Sequence, residues 1–328
     1  MATCLFRSPL AFRLQCFLEA RKKTGQRGIA SQKILIYLDR FLAGELQPGE
    51  TITREVAERW IKNLESLSIG TRINRISELR QFCLYLAYFD PRTCIVHRSF
   101  LPRRTRPATY IYTRAEVRQI MDAAKRMGPR GSLRPAVVAT LVGLLYATGL
   151  RIGEAVRLTL ADVDLQRRVL LIRETKFKKS RYVPLSSTTV KRLQAYLRQR
   201  RSAGISTSAD APFFVNRWGK RFGQTTFTTV FLEIVRQLGI RGPKGQAGPR
   251  VHDFRHSFAV NRLLAWYRAG ANLSAKLPLL STYLGHTTVS CTEVYLHATA
   301  ELLESAGRRF RAHFAVPPLS RNRTHEPD

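Results

Sequence analysis

Hydrophobic spacing alone divides the first hundred residues into four helical stretches. Apolar positions recur every three or four residues over 10–23 and over 31–42, where Ile34, Leu35, Leu38, Phe41 and Leu42 share one stripe. They recur again from position 51 or 53 onward (Val56, Trp60, Ile61, Leu64) and over 71–89 (Ile73, Ile76, Leu79, Phe82, Leu84, Tyr85). The connections are short, and Pro48-Gly49 marks one turn. Each stripe can be buried only against the others, so the pattern predicts a small antiparallel helical bundle. Residues 90–108 interrupt it with Pro91, Pro102 and Pro107 among Arg103, Arg104 and Arg106, a basic linker.

Beyond the linker the pattern changes character. Thr113-Arg114-Ala115-Glu116 is a capping box that opens a helix running to about residue 126. The apolar run after Pro135 has no polar face and predicts a buried helix, ended by Gly149. Val169-Leu170-Leu171-Ile172 and Tyr182-Val183-Pro184-Leu185 read as strands flanking a basic hairpin tip. Helices return over 187–201 and 225–238, with a short strand at 213–216 between them and a Gly/Pro/Lys-rich loop over 241–250. One further helix is expected over 299–314, and the tail from Val316 is expected to be disordered. The fold class is therefore mainly α with a small antiparallel β-sheet. Two domains are expected, 1–105 and 106–315, joined through a linker at about 90–112 and followed by the tail 316–328.

Composition narrows the partner. Lys and Arg number 55 against 23 Asp and Glu, a formal charge of +32 spread along all 328 residues, which points to a polyanion and above all to nucleic acid. Arg72 and Arg75 at the opening of the fourth helix suit a phosphate-facing surface as well as a solvated one. No apolar run is long enough to span a bilayer, and Arg7, Pro9 and Arg13 break any leader-like stretch. Five scattered cysteines without a Cys-x-x-Cys pair read as reduced thiols in a cytosol.

Candidate chemistry gathers between residues 251 and 297. His252 and Arg255 are three apart, Leu284-Gly285-His286 reads as a helix end and a turn, and Tyr295 follows nine residues beyond His286. Imidazole, guanidinium and phenol groups together can grip a phosphate and attack it. His252 to His256 lies one residue from a His-Glu-x-x-His zinc helix, but Asp253 replaces the glutamate and Arg255 would set a cation beside the metal, so no metal site is expected.

This order and spacing resemble those of the tyrosine recombinases, the phage-integrase family. The upstream Ala147-Thr148-Gly149-Leu150-Arg151-Ile152-Gly153-Glu154 resembles that family's first arginine box. The resemblance implies an N-terminal four-helix, SAM-like core-binding domain that clamps DNA and a C-terminal catalytic domain. It implies Tyr295 as nucleophile, Arg151 and Arg255 as phosphate ligands, His252 and His286 as their assistants, and Glu154 in support. It places a catalytic lysine in the β-hairpin, at Lys176, with Lys178 and Lys179 as alternatives. DNA contacts are expected from Arg72, Arg75, Arg103, Arg104, Arg106, Lys178, Lys179 and Arg181.

The implied activity is site-specific DNA recombination or integration through a 3′-phosphotyrosyl intermediate, without ATP, cofactor or metal. Four protomers, identical or with partner recombinases, would act on two duplexes in the bacterial cytosol, for transposon or phage integration or excision, cassette movement or dimer resolution. A catalytically silent DNA-binding accessory protein and a type IB topoisomerase are the alternatives.

Overall fold

The computed structural model describes residues 5–24, 29–103, 109–129, 131–173, 180–285, 288 and 292. The chain divides into two compact units, Met1–Arg106 and Pro107–Asp328.

The first unit holds α1 (Ala11–Lys23), α2 (Ile29–Glu45), α3 (Arg54–Lys62) and α4 (Ile69–Leu86). Thr53 caps α3 by accepting the Val56 amide, and Ser68 caps α4 by accepting the Thr71 amide. Ser68 sets the start of α4 two residues ahead of the position hydrophobic spacing suggests. Leu14, Leu18, Leu35, Leu38, Ile76, Leu79 and Phe82 are almost completely buried in one core. Asp39 ties the entry chain to α2 by accepting the amides of Arg7 and Ser8.

The second unit begins with α5 (Arg114–Lys125), opened by the expected Thr113/Glu116 capping box. Helix α6 (Arg134–Thr148) carries Pro135 in its first turn and buries nine residues, as a helix without a polar face must. It ends at Gly149, whose φ of 65° is left-handed. Helix α7 (Ile152–Arg157) follows at once. Strands β1 (Val163–Asp164), β2 (Val169–Ile172) and β3 (Arg181–Pro184) form an antiparallel sheet in that order, with Leu170 opposite Val163 and Val183. Four helices complete the described part: α8 (Ser187–Ser202), α9 (Gln224–Gln237), α10 (Asp253–Arg268) and α11 (Leu273–Leu284).

The stretch 213–216 is not a strand. Phe213, Phe214 and Val215 are fully buried, but only isolated bridges, Thr159 to Pro212 and Val215 to Arg221, pair this segment. Its apolarity reflects burial against α8, where Tyr196 packs on Phe213 and Phe214, rather than membership of a sheet. The start of α10 is pinned by Phe254, whose ring stacks on Tyr112 at 4.5 Å and meets Phe231 edge-on at 5.3 Å. Among the described residues no helix is long and apolar enough to cross a membrane.

Candidate active site

The site is organised by the C-terminal end of α11. A helix ends with carbonyl oxygens that lack intrahelical partners and carry the negative end of the dipole. Here those oxygens face three guanidiniums. Arg181 donates from Nε to the Tyr283 carbonyl at 2.8 Å, Arg255 from Nη2 to the Leu284 carbonyl at 2.6 Å, and Arg151 from Nη2 to the Gly285 carbonyl at 3.3 Å. Gly285 closes the helix with a φ of 67°, and a Cβ there would sit 3.0 Å from Nη1 of Arg181, so the turn needs a glycine on two counts.

Each arginine arrives from a different element. Arg151 is the N-cap of α7, placed there because Gly149 stops α6 two residues earlier. Arg255 lies in the first turn of α10, is 1% exposed, and also donates from Nη1 to the Gly149 carbonyl at 3.0 Å. The left-handed Gly149 therefore both ends α6 and orients Arg255. A Cβ at Gly149 would lie 2.6 Å from Cδ1 of Phe258. Arg181 opens β3.

Glu154 balances part of this charge. It is buried, and its Oε1 accepts from Arg151 Nη1 at 3.0 Å and from Arg181 Nη1 at 3.2 Å. Its Oε2 accepts from Arg181 Nη2 at 2.8 Å and from the Arg151 amide at 3.1 Å. Burial by itself would raise the carboxyl pKa, but the hydrogen bond and charge of Arg181, with those of Arg151, outweigh it and hold the pKa below the usual carboxylate range. Three guanidiniums against one carboxylate leave the cluster with a surplus of two positive charges, which suits a bound anion.

His252 occupies the N-cap position of α10, one turn before Arg255. Part of its surface is open to solvent, yet the packing around the ring, with His256 and the cations of Arg255 and Arg151, pushes its pKa down to about 4. At neutral pH it is an uncharged imidazole, able to accept a proton. Asp253 is committed elsewhere: its carboxylate accepts the Arg250 amide at 2.7 Å and Arg250 Nη2 at 3.2 Å. That engagement fixes the start of α10 and makes Asp253 a structural residue. Among the described residues no cluster of three His, Cys, Asp or Glu side chains could hold a metal ion.

The structure thus gathers Arg151, Glu154, His252 and Arg255. Lys176, Lys178, Lys179, His286, Tyr295, Arg104 and Arg106 lie outside the described residues, as do the helix expected over 299–314 and the tail 316–328. Arg181, expected on DNA, instead turns its guanidinium inward to Glu154 and α11, and its side chain is 12% exposed. Strand alternation held the clue: Arg181 and Val183 share a face, Val183 is fully buried, and Tyr182 on the other face is 71% exposed. In the first unit, Arg75 lies over the Tyr37 ring at 4.5 Å, Arg72 is half-buried and Arg103 is exposed.

A phage integrase family model matches residues 111–301. The chain belongs to the phage integrase family. This tyrosine recombinase is 38% identical to the integrase/recombinase y4rB of Sinorhizobium fredii, over 90% of this chain and 95% of that one. It is 27% identical to the tyrosine recombinase XerC of Chlamydia caviae, over 92% and 90%. In fold, the recombinase is similar to the Tn1549 transposon integrase solved in complex with a circular intermediate DNA, with a TM-score of 0.65 at 18% identity over 91% and 99% of the two chains. It is also similar to a lambda integrase dimer bound to a core site, with a TM-score of 0.61 at 15% identity over 87% and 96%.

Proposed function

We propose that this recombinase binds duplex DNA, cuts one strand through Tyr295 and rejoins it to a new partner. The observation that carries the proposal is the seating of Arg151 and Arg255 on adjacent carbonyls at the end of α11. Two planar guanidiniums held this way present paired donors to the non-bridging oxygens of one phosphodiester, where negative charge grows as the phosphorus is attacked. The α11 carbonyls hold both, with Glu154 also on Arg151 and the Gly149 carbonyl also on Arg255, before any substrate arrives.

The phenol of Tyr295, with an ordinary pKa of about 10, loses its proton in this positive field with neutral His252 as the acceptor. Its oxygen bonds to phosphorus, the bond to the 5′-oxygen breaks, and Lys176 gives its proton to the departing 5′-oxygen, which leaves as a hydroxyl. His286 donates to the phosphate. The products are a 3′-phosphotyrosyl ester and a free 5′-hydroxyl. The ester keeps the energy of the broken bond, so attack by the 5′-hydroxyl of another strand reseals DNA without ATP or cofactor. Four protomers, alike or with a partner recombinase, complete the exchange in two rounds through a Holliday junction. The unit up to residue 105 serves as a second grip on the duplex, with Arg72, Arg75, Arg103, Arg104 and Arg106 facing phosphates. The reaction takes place in the cytosol, on a mobile element.

The test is covalent capture. Purified protein is mixed with fragmented genomic DNA, denatured in detergent, and the protein-linked fragments are sequenced. Recombination predicts one recurrent site, joining between two duplexes carrying it, and loss of both with Tyr295→Phe. Relaxation of supercoils with neither outcome would point to a topoisomerase, and binding without any adduct to an accessory protein.

A further inference from the structure

The second unit carries a turn that the chemistry above does not use. Between the buried Val215 and Phe222 the chain runs Asn216-Arg217-Trp218-Gly219-Lys220-Arg221 and doubles back on itself. Asn216 builds the turn: its Oδ1 accepts the amides of Trp218 at 3.0 Å and Lys220 at 3.1 Å, and its own amide donates to the Lys220 carbonyl at 2.8 Å. Gly219 supplies the left-handed residue, with a φ of 71°. Arg217, Trp218, Lys220 and Arg221 are exposed at the tip, with Trp218 at 66%. The Arg217 guanidinium lies over the indole at 4.2 Å.

Lone exposed apolar residues are ordinary. This one differs in its mounting. A large aromatic is held out from the core on a hydrogen-bonded turn whose charges are all positive.

Both legs of the turn stand on α7, the helix whose N-cap is Arg151. On one side the Phe213 amide donates to the Leu158 carbonyl at 2.8 Å, and Arg221 donates to the Arg157 carbonyl at 2.9 Å. On the other, Gln224 sits so close over Gly153 that a Cβ there would lie 3.1 Å from its Oε1. Six helical residues span about 9 Å, and successive phosphates of one strand advance about 3.4 Å along the duplex. The legs of the turn therefore meet α7 within about 9 Å of Arg151, a few base steps along a duplex.

We propose that the turn 216–221 is a duplex-contacting finger. Trp218 lies against the sugar edge of a groove, and Arg217 and Lys220 neutralise phosphates beside the one that is cut. A cation stacked on an indole suits this role, since the ring covers sugar while the guanidinium edge reaches oxygen. The proposal rests on the part of the proposed function that has this chain gripping duplex DNA.

The experiment compares full-length wild type with Trp218→Phe, and with Arg217→Gln and Lys220→Gln. Arg221 is left intact because it anchors the turn. Each protein is titrated with a labelled mixed-sequence duplex oligonucleotide, and binding is followed by anisotropy at several salt concentrations. The emission that wild type has and Trp218→Phe lacks should be quenched as duplex binds. Each charge variant should lower the salt exponent of binding by about one. Emission indifferent to duplex while the complex forms, or unchanged exponents, overturns the proposal. So does an intact duplex affinity with weakened self-association of the variants in sedimentation, which would make the tip a protein contact. Covalent capture by wild type is scored separately, so quenching without any adduct would sink the recombination reading and leave the finger standing.

Discussion

Gly149 and Arg181 carry more of the site than their side chains suggest. Gly149→Ala forces a left-handed alanine into the Phe258 ring, and should cost about 1–3 kcal/mol in urea denaturation while displacing the carbonyl that orients Arg255. Arg181→Met leaves Glu154 with Arg151 alone; loss of hydrogen bonds to a buried charge should cost about 1.5–3 kcal/mol. Arg181→Lys should recover little of this, because an ammonium cannot reach two carboxylate oxygens and a carbonyl with one fixed fork. Acid should act at the same place. The His252 pKa is depressed in the folded protein, so the unfolded chain binds the proton first, and stability falls as pH drops from the ordinary histidine range toward about 4. Glu154, also depressed, adds a loss at still lower pH as it is protonated. Thermal melts between pH 7 and 4 should show the midpoint falling, and His252→Gln should flatten the upper part of that slope. A midpoint equally pH-dependent in the variant would remove His252 as the cause.

At the scale of elements, the first turn of α10 is the joint between core and chemistry. Phe254 packs on Tyr112 and Phe231 one residue before Arg255, so Phe254→Ala should cost about 3–5 kcal/mol and misplace the guanidinium as well. Much of this layer was legible in the sequence. The Thr113 capping box, the faceless α6 and the glycine after Thr148 are local signals, and local signals set those boundaries. The start of α4 escaped because Ser68 caps a turn that carries little hydrophobic pattern. β1 escaped because two residues are too few for an alternation. The stretch 213–216 looks like a strand in the sequence because burial alone makes an apolar run. The inward turn of Arg181 was available from β3's alternation, yet a basic hairpin invites an outward reading. Its partners Glu154 and Tyr283 lie 27 and 102 residues away, a separation no local pattern encodes.

At the scale of the whole molecule, the cores of the two units share no residue among the described ones. Fragments 1–106 and 107–328 should therefore each give a cooperative thermal transition when made separately; a second fragment that melts without cooperativity would contradict this. With a formal charge of +32, each fragment should bind duplex DNA more weakly and with a smaller salt exponent than the intact chain. The three oxygens that seat the arginines come from consecutive positions, 283 to 285, whereas the arginines are spread over a hundred residues upstream. A ribosome that has released the chain only as far as α10 has made every one of those arginines and none of their seats. A nascent polypeptide thus has Glu154 and the Gly149 carbonyl as partners for the three cations, and the anchors from α11 are added only once translation has passed Gly285.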